Sequence, residues 1–427
     1  MFKHRMLVPF AMLALAAVLT ACGQQTLSST PAPSSGVGVV PPASPGASQS
    51  PVIEPSAAPT PSVAPRPTPT PRERLARWST KPARIFAAEC NVAVATVDAS
   101  GRFHVAAECD QHIRYASSTN GRAWTASTIP TPKERFDVDP QLAIDGTTLY
   151  LAFTRLRPID GGCGDDGLTA VGVFYRTRTL PDGDWSQPTQ FGLNGDELEA
   201  FRVVGGVMHE TVVAEDGKGP VVYAVAHGST MERLTLPNAN GTSLRVGDDG
   251  RARIAYTTAH AVKYAVVGND GKATTSTVFA ASDVFMAGPV LVLGSSDRAY
   301  VSWAALPVDA GGGCAEPEPP KPPHVGTWFA TDVSGSWSTK RLSRDIGSAQ
   351  LVVDVDSGRV HATYHDRRGI RYVTRAADGT WSGSRLDASI DLWSTTLRRN
   401  PTNGQLLLVG VNASDALKPG VYALTAS

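Results

Sequence analysis

Between its apolar runs this 427-residue chain carries short polar loops holding Glu89, Glu108, Asp110, Arg155, Arg157, His260, His365, Asp366, Arg367, Arg368 and Trp393. Of these, Glu108, Asp110, Arg155, His365, Asp366, Arg367, Arg368 and Trp393 form the candidate ligand-binding set. Carboxylates, guanidinium groups and an indole on one surface suit a polar ligand such as a sugar. For any one of them, a solvated loop charge is the competing reading. No catalytic residue can be assigned. GxGxxG between strand and helix, a P-loop, HExxH and CxxC are all missing, no spacing suits a metal, and no cofactor is expected. Lys plus Arg number 39 and Asp plus Glu also 39, so charge gives no reason to expect nucleic acid as a partner.

The elements that must position these loops begin after a distinct N-terminus. Lys3, His4 and Arg5 precede an apolar run over residues 6–18, too short to span a bilayer comfortably and laid out as a signal peptide. Leu19-Thr20-Ala21-Cys22 closes the run and resembles the lipobox of bacterial lipoproteins. That resemblance implies cleavage before Cys22, acylation of its thiol and a membrane as partner. Acyl chains bury many methylenes at about 0.8 kcal/mol each, which makes a multiply acylated anchor permanent. Gly23 puts no acidic residue after the cysteine to suggest inner-membrane retention, so the expected place is the bacterial envelope, extracytoplasmic, on the outer membrane or cell surface. Residues 23–72 are rich in Pro, Ser, Thr and Ala with almost no charge. Such a stretch has little to offset the entropy of ordering and reads as a disordered tether.

From residue 73 to 427 one phrase recurs: an alternating apolar strand, a Gly/Asp/Asn turn, a second strand, a third with a tyrosine, a Gly turn, and a fourth that often opens on Trp-Ser. One copy runs from Ala349 through Val360, Tyr364, Tyr372 and Gly379 to Trp381-Ser382, and another from Asn91 through His104, Tyr115 and Gly121 to Trp124. His104 and His361 recur at one position of the phrase and read as packing residues. Four short antiparallel strands every 40 to 60 residues or so predict an all-β fold, a single β-propeller. Seven copies can be counted, or six if a weak one is spurious. The last copy has only three strands. Arg77-Trp78-Ser79-Thr80-Lys81 matches Ser336-Trp337-Ser338-Thr339-Lys340 at four positions and is expected to supply the missing outer strand, closing the ring. The tryptophans are expected to be plates between blades, so Trp337→Ala should cost about 3–5 kcal/mol.

Ser117-Ser118-Thr119-Asn120-Gly121-Arg122-Ala123-Trp124 resembles the Asp-box (BNR repeat) of the sialidase superfamily, S-x-D-x-G-x-x-W, with Thr119 where the family has Asp. The other copies keep only the Gly-x-Trp remnant. Asp-boxes are structural in that family, so the resemblance implies fold and not activity. The family's sialidases clamp a carboxylate with three arginines and use a Tyr–Glu pair and an Asp acid. Here only Pro82-Ala83-Arg84-Ile85-Phe86 is similar to the family's Arg-Ile-Pro start, with Phe86 replacing the proline.

With Cys22 acylated, Cys90, Cys109, Cys163 and Cys314 remain, and an exported chain makes disulfides plausible. A hairpin turning between Ala99 and Ser100 sets Cys90 opposite Cys109. Cys163 and Cys314 lie in two corresponding long insertions that should share a face, so a bridge between them is expected, against two free thiols. The functional expectation is a monomeric, non-catalytic module that binds glycan or protein on its loop face. The alternatives are a divergent sialidase-like exo-glycosidase and a scaffold in an envelope assembly.

Overall fold

Alternating apolar residues become strands throughout the computed structural model, which describes residues 76–158, 167–227, 230–308, 322–332, 335–386, 391–412 and 417–427. There are 28 strands among them, hydrogen-bonded into seven four-stranded sheets. Cys22, the tether, Cys163 and Cys314 lie outside the described residues. Blade 1 spans residues 90–128, blade 2 136–191, blade 3 197–235, blade 4 242–280, blade 5 284–343, blade 6 350–385 and blade 7 392–426. Within a blade every pairing is antiparallel, and the strands follow chain order outward from the first. The first strand of each blade lies against the first strand of the next, and that of blade 7 against that of blade 1. The chain is therefore a closed seven-bladed β-propeller, its inner strands surrounding an axial channel.

Closure uses the N-terminal residues, a few positions further along than expected. Ala83–Phe86 is the outer strand of blade 7 and pairs with Val421–Ala426. The motif at residues 77–81 continues the same edge: Trp78 bridges Ala426, and the Ser79 N–H donates to the Thr425 carbonyl at 2.8 Å.

The recurring aromatics interlock neighbouring blades. Trp185 of blade 2 meets Tyr115 of blade 1 edge-on with centroids 5.2 Å apart. Trp337 meets Tyr264 at 5.3 Å, Trp381 meets Phe329 at 5.1 Å, and Trp78 meets Tyr372 at 5.4 Å. Each time the tryptophan lies at or shortly before the start of an outer strand and its partner stands on the third strand of the preceding blade. The histidines are packing residues as well. His104 Nδ1 lies 2.6 Å from Tyr115 Oη and His361 Nδ1 2.7 Å from Tyr372 Oη. His209 and Tyr223 make a third such pair at 2.7 Å.

The expected Cys90–Cys109 pairing is met through a different register. The first hairpin of blade 1 pairs Val97 with Phe103 and keeps that register to Val92 and Glu108, one residue off the register inferred from the sequence. A bulge at Asn91 then brings Cys90 opposite Cys109, and the two form a disulfide. In the Asp-box-like turn the capping acceptor is Asn120, one residue after the substituted Thr119. Its Oδ1 accepts the N–H groups of Arg122 and Ala123 at 2.8 and 2.9 Å, while Ser118 Oγ accepts that of Gly121 at 2.9 Å.

Candidate functional site

Each inner strand starts on the face where the blade-to-blade loops and the second-to-third-strand loops emerge. Blades 2 and 3 both open their inner strands, Phe136–Asp145 and Glu197–Val204, with acid–apolar–acid: Asp137-Val138-Asp139 and Glu197-Leu198-Glu199. Together with Glu108, near the end of the second strand of blade 1 (Phe103–Cys109), they gather carboxylates at the channel mouth.

Hydrogen bonds to neighbouring strands hold members of this group. Glu108 Oε1 accepts Asn91 Nδ2 at 3.0 Å, and its Oε2 accepts the Asp139 N–H at 3.3 Å. Asp139 adopts a left-handed φ of 52°, a costly conformation for a non-glycine residue. Glu199 Oε2 accepts the Thr242 N–H at 2.9 Å from blade 4. Burial, reinforced by Glu108, Glu197 and Glu199, pushes the Asp139 carboxyl up to about 7. Burial raises Glu199 too, and burial with Asp216 and Glu199 raises Glu197. The mouth is thus a crowded acidic patch in which one proton is retained near neutrality.

The other sequence-derived candidates fall into separate arrangements. Arg155 is 6% exposed and completely engaged: Nε and Nη2 reach the two oxygens of Asp137 at 2.7 and 2.9 Å, and its guanidinium lies 4.6 Å from the Phe174 ring centroid. That buried pair is structural, and the guanidinium is not free for a ligand. Asp110 sits in the exposed turn at φ 53° beside Arg114, 3.3 Å away. The blade 6 candidates do assemble. Asp366 takes Arg385 at 2.6 and 2.9 Å, which chiefly holds its carboxyl below the ordinary range, and the Arg368 N–H at 2.9 Å. Arg367 reaches Asp345 at 3.0 Å, and His365 reaches Asp391 at 3.3 Å. Trp393 stands 39% exposed at the start of the neighbouring inner strand, Leu392–Arg399.

Arg84, the residue of the sialidase-like start, lies on the outermost strand of blade 7, where its guanidinium donates to the Pro419 carbonyl. It is three strands from the channel. His260 bonds the Val284 carbonyl through Nδ1 at 2.8 Å. Among the described residues no three His, Cys, Asp or Glu side chains are placed to hold a metal ion. A hollow of about 420 Å³ opens on the opposite face, between the hairpins of blades 3 and 4, with His209, Tyr223 and Arg233 in its wall.

Asp139, Glu197 and Glu199 are absent from the sequence-derived set. Their signal was the acid–apolar–acid phrase repeated at the start of two successive copies, which alternation alone reads as strand.

No family model matches the chain, and no curated protein is similar to it in sequence. Solved structures do match. A polysaccharide lyase, the PL25 ulvan lyase, is 11% identical at a TM-score of 0.53, covering 81% of this chain and 95% of its own. The virginiamycin B lyase of Staphylococcus aureus is 9% identical at a TM-score of 0.51, covering 82% and 99%. The likeness is one of fold. The NanB sialidase of Streptococcus pneumoniae also matches, 12% identical at a TM-score of 0.42 and covering 80% of this chain and 68% of its own.

Proposed function

We propose that the protein is a lipid-anchored, extracytoplasmic propeller of the bacterial envelope that, as a monomer, binds a polar ligand, glycan or protein, over the acidic mouth of its channel without transforming it. The observation that carries this reading is the convergence of Glu108, Asp139, Glu197 and Glu199 there, coupled closely enough for Asp139 to sit near 7. Clustered carboxyl groups attract hydroxyl and ammonium donors and repel anions. The favoured ligand is therefore a neutral or amine-bearing glycan, or a basic protein segment. The salt-bridged rim of blade 6 with Trp393 beside it adds a polar and aromatic edge to the same face.

One observation favours a glycosidase as the second reading. A carboxyl raised to about 7 beside other carboxyls has the proton affinity of a general acid. A sialidase in particular has weaker support, since Arg155 is locked to Asp137 and Arg84 is on the outer strand. The deciding experiment is a glycan array run beside a broad glycoside hydrolysis screen, with wild type, Asp139→Asn and Glu199→Gln. Binding that falls in both variants, with no turnover, is the expected result. Turnover abolished by Asp139→Asn would replace the binder with an enzyme. Silence in both assays, with a stable partner recovered by crosslinking in the envelope, would favour the scaffold.

A further inference from the structure

Three inner strands carry an arginine at corresponding places near their far ends: Arg202 after Phe201 in blade 3, Arg245 after Leu244 in blade 4, and Arg398 after Leu397 in blade 7. Each guanidinium donates to the carbonyl of the residue just before it, at 2.8 Å for Arg245 and for Arg398. These strands surround the axis, and their inner edges have no strand to pair with. Blades 3 and 7 stand on roughly opposite sides of the seven-membered ring, yet Arg202 is close enough to weaken the proton affinity of Arg398. Both residues stand on inner strands, on facing walls of the channel. Burial and this mutual repulsion lower Arg398 to about 9, and burial lowers Arg202 to about 10.

Among the described residues none of the three has a carboxylate partner. Two acids on neighbouring hairpins are held by other groups. Asp145 accepts the N–H groups of Gly205 and Gly206, and Asp354 is paired with Arg399 at 3.2 Å. Fixed cations crowded inside protein without counter-charge are unfavourable unless an anion joins them. Planar guanidinium groups are suited to the oxygens of a phosphate, sulfate or carboxylate.

We propose that the hairpin-side end of the channel is a binding site for an oxyanion, held among the guanidinium groups of Arg202, Arg245 and Arg398. The acidic mouth at the other end repels such a ligand, so it enters from the hairpin face. The anion is either a free inorganic ion or the anionic group of a sugar acid. The site is independent of the carboxylate mouth, and either can fail alone.

The test is titration calorimetry on the full-length protein in detergent, with inorganic phosphate at constant ionic strength and glucuronate as competitor. One saturable phosphate site is expected, weakened at least about tenfold in Arg202→Gln and Arg398→Gln, as loss of a charge-assisted hydrogen bond implies. Exposed Arg122→Gln serves as the control and should match wild type. Displacement by glucuronate would point to a sugar acid, and retention of phosphate to the free ion. In anion-free buffer the Gln variants should melt no lower than wild type, because they remove uncompensated charge. No phosphate binding by wild type, unchanged binding in Arg398→Gln, or a large fall in its anion-free melting temperature would each overturn the proposal.

Discussion

Asp139 joins the chemistry of the channel mouth to a measurable property of the whole fold. Its carboxyl titrates near 7 in the native state against an ordinary 3.8. Between those values the folded protein holds a proton that the unfolded chain has released, so stability falls as pH rises from about 4 to 7. Above that range the penalty is constant. Asp139→Asn keeps the shape and removes the ionisation. The variant should match wild type near pH 4 and exceed its stability at pH 8 by on the order of 2 kcal/mol, a figure well below the full shift because channel water relaxes part of it. Urea unfolding at the two pH values measures this, and a gap that does not widen with pH would mean the carboxyl is not protonated in the fold. At this scale the sequence was only partly legible. Glu108 could be found because it precedes a recognisable loop. Asp139, Glu197 and Glu199 could not, because an acid alternating with apolar residues at a strand start looks like the solvent face of a sheet. Only ring closure turns that position toward an axis shared by seven blades. The Arg155–Asp137 pair was hidden for a related reason: its two halves lie on adjacent strands, and nothing local marks them as partners.

Strand by strand, the phrase was readable because the same packing problem recurs in each copy. In blades 2, 5 and 6 the tryptophan leading into the outer strand meets an aromatic on the third strand of the blade before it, which gives the recurring Gly-x-Trp a packing role. What the phrase did not disclose was depth. Trp337 is half-buried, lying edge-on to Tyr264 with Nε1 donating to Ser276 Oγ at 3.2 Å. Trp337→Ala therefore should cost about 2–3 kcal/mol, less than the figure for a fully buried indole, and Trp337→Phe should recover much of it. Denaturant midpoints of the two variants measure this; equal midpoints for Ala and wild type would remove the inter-blade role. The disulfide teaches a different lesson about legibility. Arithmetic on the hairpin paired the correct cysteines with a strand register one residue out of place, because the bulge at Asn91 shifts the count by one just before Cys90. Bulges leave no reliable mark in a single sequence, so pairing can be inferred where register cannot.

The molecule as a whole depends on a few residues far from the rest in sequence. Without residues 76–86, blade 7 has three strands, and Val421–Ala426 becomes an open edge. Ile85 and Phe86, 8% and 3% exposed, belong to the cluster that joins blade 7 to blade 1, and Trp78 covers Tyr372 of blade 6. Burial of two large apolar side chains at about 1.5–3 kcal/mol each, plus one inter-blade indole contact, makes this strand worth on the order of 5 kcal/mol or more. That approaches the whole stability of an ordinary domain. Blade 1 also rests on blade 7 through Asn400, whose Nδ2 donates to the Gly101 carbonyl at 2.8 Å. That second contact joins the hairpin turns of the two blades, so it survives deletion of the outer strand but cannot cover the exposed edge. Removing residues 1–72 should therefore leave the melting temperature unchanged, whereas removing residues 1–86 should lower it steeply and give soluble aggregates by light scattering, as open edges pair between molecules. A monodisperse protein of unchanged melting temperature after the longer deletion would show that the ring holds without its N-terminal strand, and that the contacts between neighbouring blades alone suffice to keep the channel closed.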